Sequence, residues 1–399
     1  MKPPHPSPWH LVLLALAAAS LLAGLTGALV LLGVSMPTAT VRLAGSHGPL
    51  MTLGFLGTLI ALERAVALDR RWGYLAPLSS GLGGAALVLG LPAGLAAVLL
   101  TLAGVLFVAM YVAFDRIERS LHTSVQGLGA LAWSGAGLLL LAGRPVTAAI
   151  PWLAGFLVLT IAGERLELSR LGRPSERARV AFSAITAVFC AGIVASVVAP
   201  DPGARLAGGG LLGLAIWLAR NDLARRTVRT PGVTRFVAVS LLAGYAWLAV
   251  AGACWLVFGA TGLTGVGAVA AHDTMLHALF LGFVISMVFG HAPIILPAVL
   301  RLPLPYQRWF YAHLGLLHAS LVLRIVGGDL LGGDVAWRLG GILNVVALLL
   351  FLGSSAIAVA SAWSIPSRGG RGGGAARLDR ARVNQLPAAP DGGGATQFI

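Results

Sequence analysis

The chain has 399 residues, of which 57% are hydrophobic and only 11% charged, with a mean hydropathy of +0.88. A soluble fold of this size could not cover so much apolar surface, so the composition excludes a soluble enzyme and implies membrane residence. The net charge of +14 would suggest nucleic acid in a soluble protein. Here the arginines fall in alternate loops, which is a topology signal and implies no nucleic-acid partner.

A helix needs roughly 20 apolar residues to cross about 30 Å of hydrocarbon, because lipid offers the backbone no hydrogen-bond partners. Twelve such spans are predicted, near 9–34, 44–68, 72–91, 93–114, 122–143, 146–168, 178–199, 204–222, 233–259, 270–299, 306–327 and 335–363. The first is read as a retained helix, since its apolar run exceeds the core of a signal peptide. Breaks at Leu91-Pro92 and Pro200-Asp201-Pro202 are short, so those boundaries could merge or slip. Arg70, Arg71, Arg116, Arg119, Arg170, Arg173, Arg177 and Arg179 lie in one set of loops, with Arg220, Arg225, Arg226, Arg229, Arg235, Arg301 and Arg308. The other set holds little beyond Arg42, Arg144, Arg205 and Arg338. The positive-inside rule then places both termini in the cytoplasm and the protein in the cytoplasmic (inner) membrane. Residues 1–363 form the transmembrane domain. Residues 364–399, rich in Gly, Arg, Ala and Pro, read as a disordered cytoplasmic tail.

One pattern recurs. Residues 54–64 read GFLGTLIALER, residues 155–165 read GFLVLTIAGER, and residues 282–291 read GFVISMVFGH. These lie in the second, sixth and tenth spans, so the repeat implies three related four-helix units around a shared axis.

Ionisable residues inside a bilayer are costly and mark functional sites. Here they are His47, Glu63, Glu164, His272, Asp273, His277, His291, His313 and His318. Measured from the shared Gly-Phe, His47 lies seven residues earlier and His277 five. At about 1.5 Å per residue the two imidazoles sit within about 3 Å of one depth. Such a pair could hold a metal or the two faces of a haem iron, and imidazole alone does not choose among iron, copper and zinc. Asp273 is either a cap for the tenth helix or a carboxylate that orients an imidazole. Glu63, Glu164 and His291 share one repeat position. They form either a divalent-metal or proton-relay cluster, or interfacial charges paired locally. His313 and His318, five apart, must face different neighbours. Cys190 and Cys254 suggest neither a disulfide nor a thiolate site. No phosphate-binding glycine loop supports a nucleotide.

His-Gly-x-x-Met opening the second span, in SHGPLMTLGF, resembles the low-spin haem ligand segment of the haem-copper oxidase subunit I superfamily. HDTMLHALFLGFVISMVFGHAPIILPAVL resembles that superfamily's tenth helix, and both segments are most similar to its NnrS-like branch. The resemblance implies an all-α fold of twelve helices in three four-helix arcs. It implies haem held by His47 and His277, with His318 approaching the same level and Arg324, Arg42 or Arg338 facing the haem carboxylates. His291, His313, Glu63 and Glu164 are the candidates for a second metal site, with copper left open. The implied role is a response to nitric oxide or nitrosative stress, with nitric oxide as ligand and enzymatic activity undecided. The sixth and seventh spans carry no histidine, so the usual oxidase binuclear centre is not expected. The rival expectation is an ion-coupled secondary transporter working through Glu63, Glu164 and His291.

Overall fold

The computed structural model describes residues 8–172, 174–260, 266–300 and 304–364. The expected tail over 364–399 falls almost wholly outside them. Among the described residues, twelve helices are long and apolar enough to cross a membrane. We label them α1 (Pro8–Leu31), α2 (Thr38–Leu68), α3 (Arg71–Leu89), α4 (Ala93–Ile117), α5 (Leu121–Leu141), α6 (Val146–Ser169), α7 (Glu176–Ala195), α8 (Pro200–Asn221), α9 (Val233–Phe258), α10 (Val269–Pro297), α11 (Phe310–Leu330) and α12 (Asp334–Ser361). Among the described residues there is no strand. The protein is a multi-pass membrane protein. Its two ends are distinguished here as arginine-rich and arginine-poor.

The doubtful breaks are real, and their causes are local. Gly90 ends α3 in the left-handed region at φ 70°, which glycine adopts without penalty, and Pro92 precedes α4. Pro200 opens α8 instead of interrupting a turn, with Asp201 in its first turn; an N-terminal proline lacks only an amide that would be orphaned anyway. The helix therefore begins four residues before its expected start. Ser120 and Ser175 cap α5 and α7 by accepting from the Thr123 and Ala178 amides.

In α6 the apolar window is 78% buried against 28% in α7, which puts α6 in the interior and α7 on the rim. Close packing depends on small residues, because lipid supplies no hydrophobic drive between helices. A Cβ at Gly208 of α8 would stand 2.3 Å from the Leu256 amide nitrogen of α9. Gly208→Val is expected to destabilise the bundle by about 1–3 kcal/mol through overpacking. The control is Gly94→Ala, whose Cβ would meet nothing within 4 Å; equal thermal shifts for the two variants would contradict the packing argument.

Three arginines at the arginine-poor end have a common explanation. Arg42 donates to the Leu87 and Val88 carbonyls ending α3 (3.0 and 2.6 Å). Arg205 donates to those of Leu256 and Val257 ending α9 (3.2 and 2.5 Å). Arg338 donates to the Gly33 carbonyl just beyond α1 (2.5 Å). Each binds carbonyls at or just beyond a helix C-terminus and meets the negative end of its dipole.

Candidate functional site

Two of the repeat-bearing helices leave α-helical geometry at the same place. In α2 the stretch Leu50–Gly57 is π-helical around Gly54, and in α10 Ala278–Ile285 is π-helical around Gly282. Each π segment starts four residues before the shared glycine and ends three after it. The matching stretch of α6 stays α-helical through Gly155. The π turns thus accompany the two helices that carry His47 and His277, and are absent from the one without a histidine. Extra π residues change the phase of the upstream turn, a device common at functional sites. A third π segment, Leu323–Leu330, carries Arg324 and Asp329 in α11.

Around these segments the arginine-poor half holds a polar cluster. His47 Nδ1 is 2.8 Å from the Gly24 carbonyl of α1. α1 and α2 pack closely there: a Cβ at Gly24 would lie 2.7 Å from Met51 Sδ. His277 Nδ1 lies 2.9 Å from the Asp273 carbonyl and 3.1 Å from Asp273 Oδ1. In both rings Nδ1 faces only oxygen acceptors, so it carries the proton, and Nε2 presents a lone pair. His47 lies within electrostatic range of both His277 and Arg324.

Asp273 is the hub. Arg324 donates to it through Nε (2.8 Å) and Nη2 (2.7 Å), and Trp337 donates from Nε1 (3.1 Å). The Arg324 guanidinium also lies 4.9 Å above the Trp337 ring. Beside it, Thr274 Oγ1 donates to Asp329 Oδ2 at 2.7 Å. The arrangement ties α10, α11 and α12 together and fixes the His277 ring, as a carboxylate behind a ligand histidine does. Asp273 therefore orients an imidazole and is no helix cap, because the helix begins at Val266, seven residues upstream of it.

The structure gives several of the expected residues other partners. Asp273 engages the Arg324 fork, the Leu87 and Val88 carbonyls engage Arg42, and Arg338 gives Nη2 to the Gly33 carbonyl. His318 accepts at Nδ1 from the Trp247 indole (3.0 Å), which assigns its proton to Nε2 and suits it poorly as an Nε2 ligand. His313, 1% exposed, stands in an aromatic box of Phe289, Phe310 and Phe351, with ring centroids 4.7, 5.6 and 5.4 Å away. It packs there, with Nδ1 3.3 Å from Ser354 Oγ.

The Glu63, Glu164 and His291 level at the arginine-rich end is likewise partly engaged. Arg64 Nη2 donates both to Glu63 Oε1 (3.1 Å) and to Glu164 Oε1, so an arginine bridges the two carboxylates where a metal was expected. The local-pairing expectation holds for Glu63, whereas Glu164 pairs across helices. His291 lies within range of Glu164 and Arg165; it donates Nδ1–H to the Met287 carbonyl (2.6 Å) and keeps Nε2 buried without a partner. Among the described residues no group of three or more His, Cys, Asp and Glu gathers to hold a metal ion.

Sequence reasoning missed the pairing of Asp273 with Arg324 and the part played by Trp337, which was indistinguishable from an interfacial tryptophan. It also passed over Asp329, whose signal was a carboxylate near the end of an apolar span. Asp273→Asn is expected to cost about 3 kcal/mol, because it leaves the buried Arg324 charge without its counter-ion. Thermal unfolding should show a smaller loss for Asp329→Asn, whose residue has a hydroxyl partner only; the reverse order would contradict the hub.

These features define a polytopic helical membrane protein with a histidine–carboxylate cluster inside its bundle. Residues 10–361 match the family model described as "Domain of unknown function (DUF8744)", and the chain belongs to that family. No curated protein matches it.

Proposed function

We propose that this is a haem-binding membrane protein in which His47 and His277 supply Nε2 from α2 and α10 to one iron. One observation carries the reading: each imidazole ties Nδ1 to an oxygen acceptor and leaves Nε2 without a hydrogen bond, on helices whose π segments match in register. That is the ligand-competent tautomer, and it separates this pair from His318. Two imidazoles suffice for haem, where a bare ion would need a third or fourth donor. Bound haem would supply one-electron chemistry or a site for a diatomic ligand. Asp273 would hold the His277 ring and its tautomer, and the Gly24 carbonyl would do the same for His47.

The resemblance to the NnrS-like branch adds nitric oxide as the ligand and nitrosative stress as the setting, with the three four-helix arcs as the frame. The positive-inside rule supports a cytoplasmic position for the arginine-rich end. Copper finds less support, since Arg64 stands between Glu63 and Glu164, and the same bridge weakens the ion-coupled transporter. The test is the reduced-minus-oxidised absorbance of protein purified from haem-sufficient cells. A Soret band with a sharp α band is expected; a colourless protein after haem supplementation would overturn the proposal.

A further inference from the structure

A second polar feature lies apart from the histidine cluster, at the arginine-rich end where α4 meets α5 and α6 meets α7. A cavity of about 380 Å³ is lined by Arg119, Ser120, Leu121, His122, Leu166, Arg170, Pro174 and Arg179. No carboxylate is among its described lining residues. The three arginine side chains are 90%, 58% and 55% exposed, so their guanidinium groups are free to reach a ligand. Their nearest carboxylates, Asp115, Glu118 and Glu176, stand 3.8, 3.7 and 3.3 Å away in loose pairs. Exposed pairs of this kind contribute little and are readily exchanged for a better anion. The first turn of α5 also opens onto the cavity, adding the positive end of a 21-residue helix.

The apolar surroundings define the occupant. Ile117 and Val180, each within two residues of a lining arginine (Arg119 and Arg179), are 73% and 59% exposed at the arginine-rich ends of α4 and α7. A soluble anion would gain nothing from that flank, whereas acyl chains would cover it. We propose that this cavity binds the headgroup of an anionic phospholipid, its phosphodiester among Arg119, Arg170 and Arg179 and its chains against Ile117 and Val180. Basic pockets between helices on the arginine-rich side are suited to such headgroups.

The full chain in a mild detergent, incubated with phosphatidylglycerol or phosphatidylcholine and read by native mass spectrometry, tests the assignment. The wild type is expected to retain phosphatidylglycerol over phosphatidylcholine. Arg119→Gln/Arg170→Gln/Arg179→Gln is expected to lose that retention by ~10-fold or more. The control Arg225→Gln/Arg226→Gln/Arg229→Gln, at the same end, should retain it. Should the triple variant fail to reach the membrane, Arg179→Gln alone should give a partial loss. Equal retention in the triple variant and the control would overturn the proposal. So would displacement of the lipid by millimolar inorganic phosphate, which would mark a soluble-anion site. No readout involves haem, so the outcome is independent of the histidine pair.

Discussion

Substituting alanine for His277 or for His47 is expected to remove the haem absorbance of the purified protein altogether. The magnitude follows from ligation on two faces: an iron with one imidazole left is held by a single protein bond plus apolar contacts. His318→Ala and His313→Ala should keep the spectrum. The Trp247 indole fixes the first ring with its proton on Nε2, and the second is enclosed by phenylalanines. Asp273→Asn should fall between, with ~10-fold weaker binding, as removal of an outer partner of a ligand histidine usually gives. A graded series in this order would separate ligands, orienting residue and bystanders. Unchanged absorbance in His47→Ala, with loss only in His318→Ala, would reverse the assignment.

The other large effect is at the arginine-rich end. Arg64→Met should destabilise the bundle by about 3–5 kcal/mol, the usual result of removing one partner from a buried charge pair. The reason is geometric. Arg64 Nη2 lies against both Glu63 and Glu164, whose side chains are 26% and 18% exposed, so its loss leaves two carboxylates facing each other with little water between them. Adding Glu63→Gln and Glu164→Gln to Arg64→Met should recover most of the loss, because neutral amides remove the repulsion. Thermal unfolding in detergent reads all three. A loss below about 1 kcal/mol for Arg64→Met would show an ordinary surface pair instead.

The number of spans was legible in the sequence because hydropathy sums over about 20 residues and tolerates small errors of register. Helix ends were less legible. The start of α2 slid from 44 to Thr38 because Thr38–Thr40 form a short 3₁₀ turn ahead of the helix. The start of α11 slid from 306 to Phe310, because 304–307 carry no helix despite their apolar character. The positions of His47 and His277 relative to the shared Gly-Phe were readable in the sequence. Their tautomers were not, because these depend on Gly24 in another helix and on the Asp273 carboxylate. Nothing in local composition marks a π segment, since Leu50–Gly57 and the α-helical stretch of α6 carry nearly the same motif. The bridging by Arg64 was hidden for a related reason: Glu63-Arg64 and Glu164-Arg165 look equivalent in sequence, yet only Arg64 joins both carboxylates.

The measurement that bears most directly on the shared site is electron paramagnetic resonance of the oxidised protein, with His47→Ala and His277→Ala alongside. Two imidazoles on one ferric iron predict a low-spin signal in the wild type. Either substitution should convert it to high spin or abolish it. A high-spin wild type that neither substitution alters would mean that α2 and α10 do not jointly hold the cofactor.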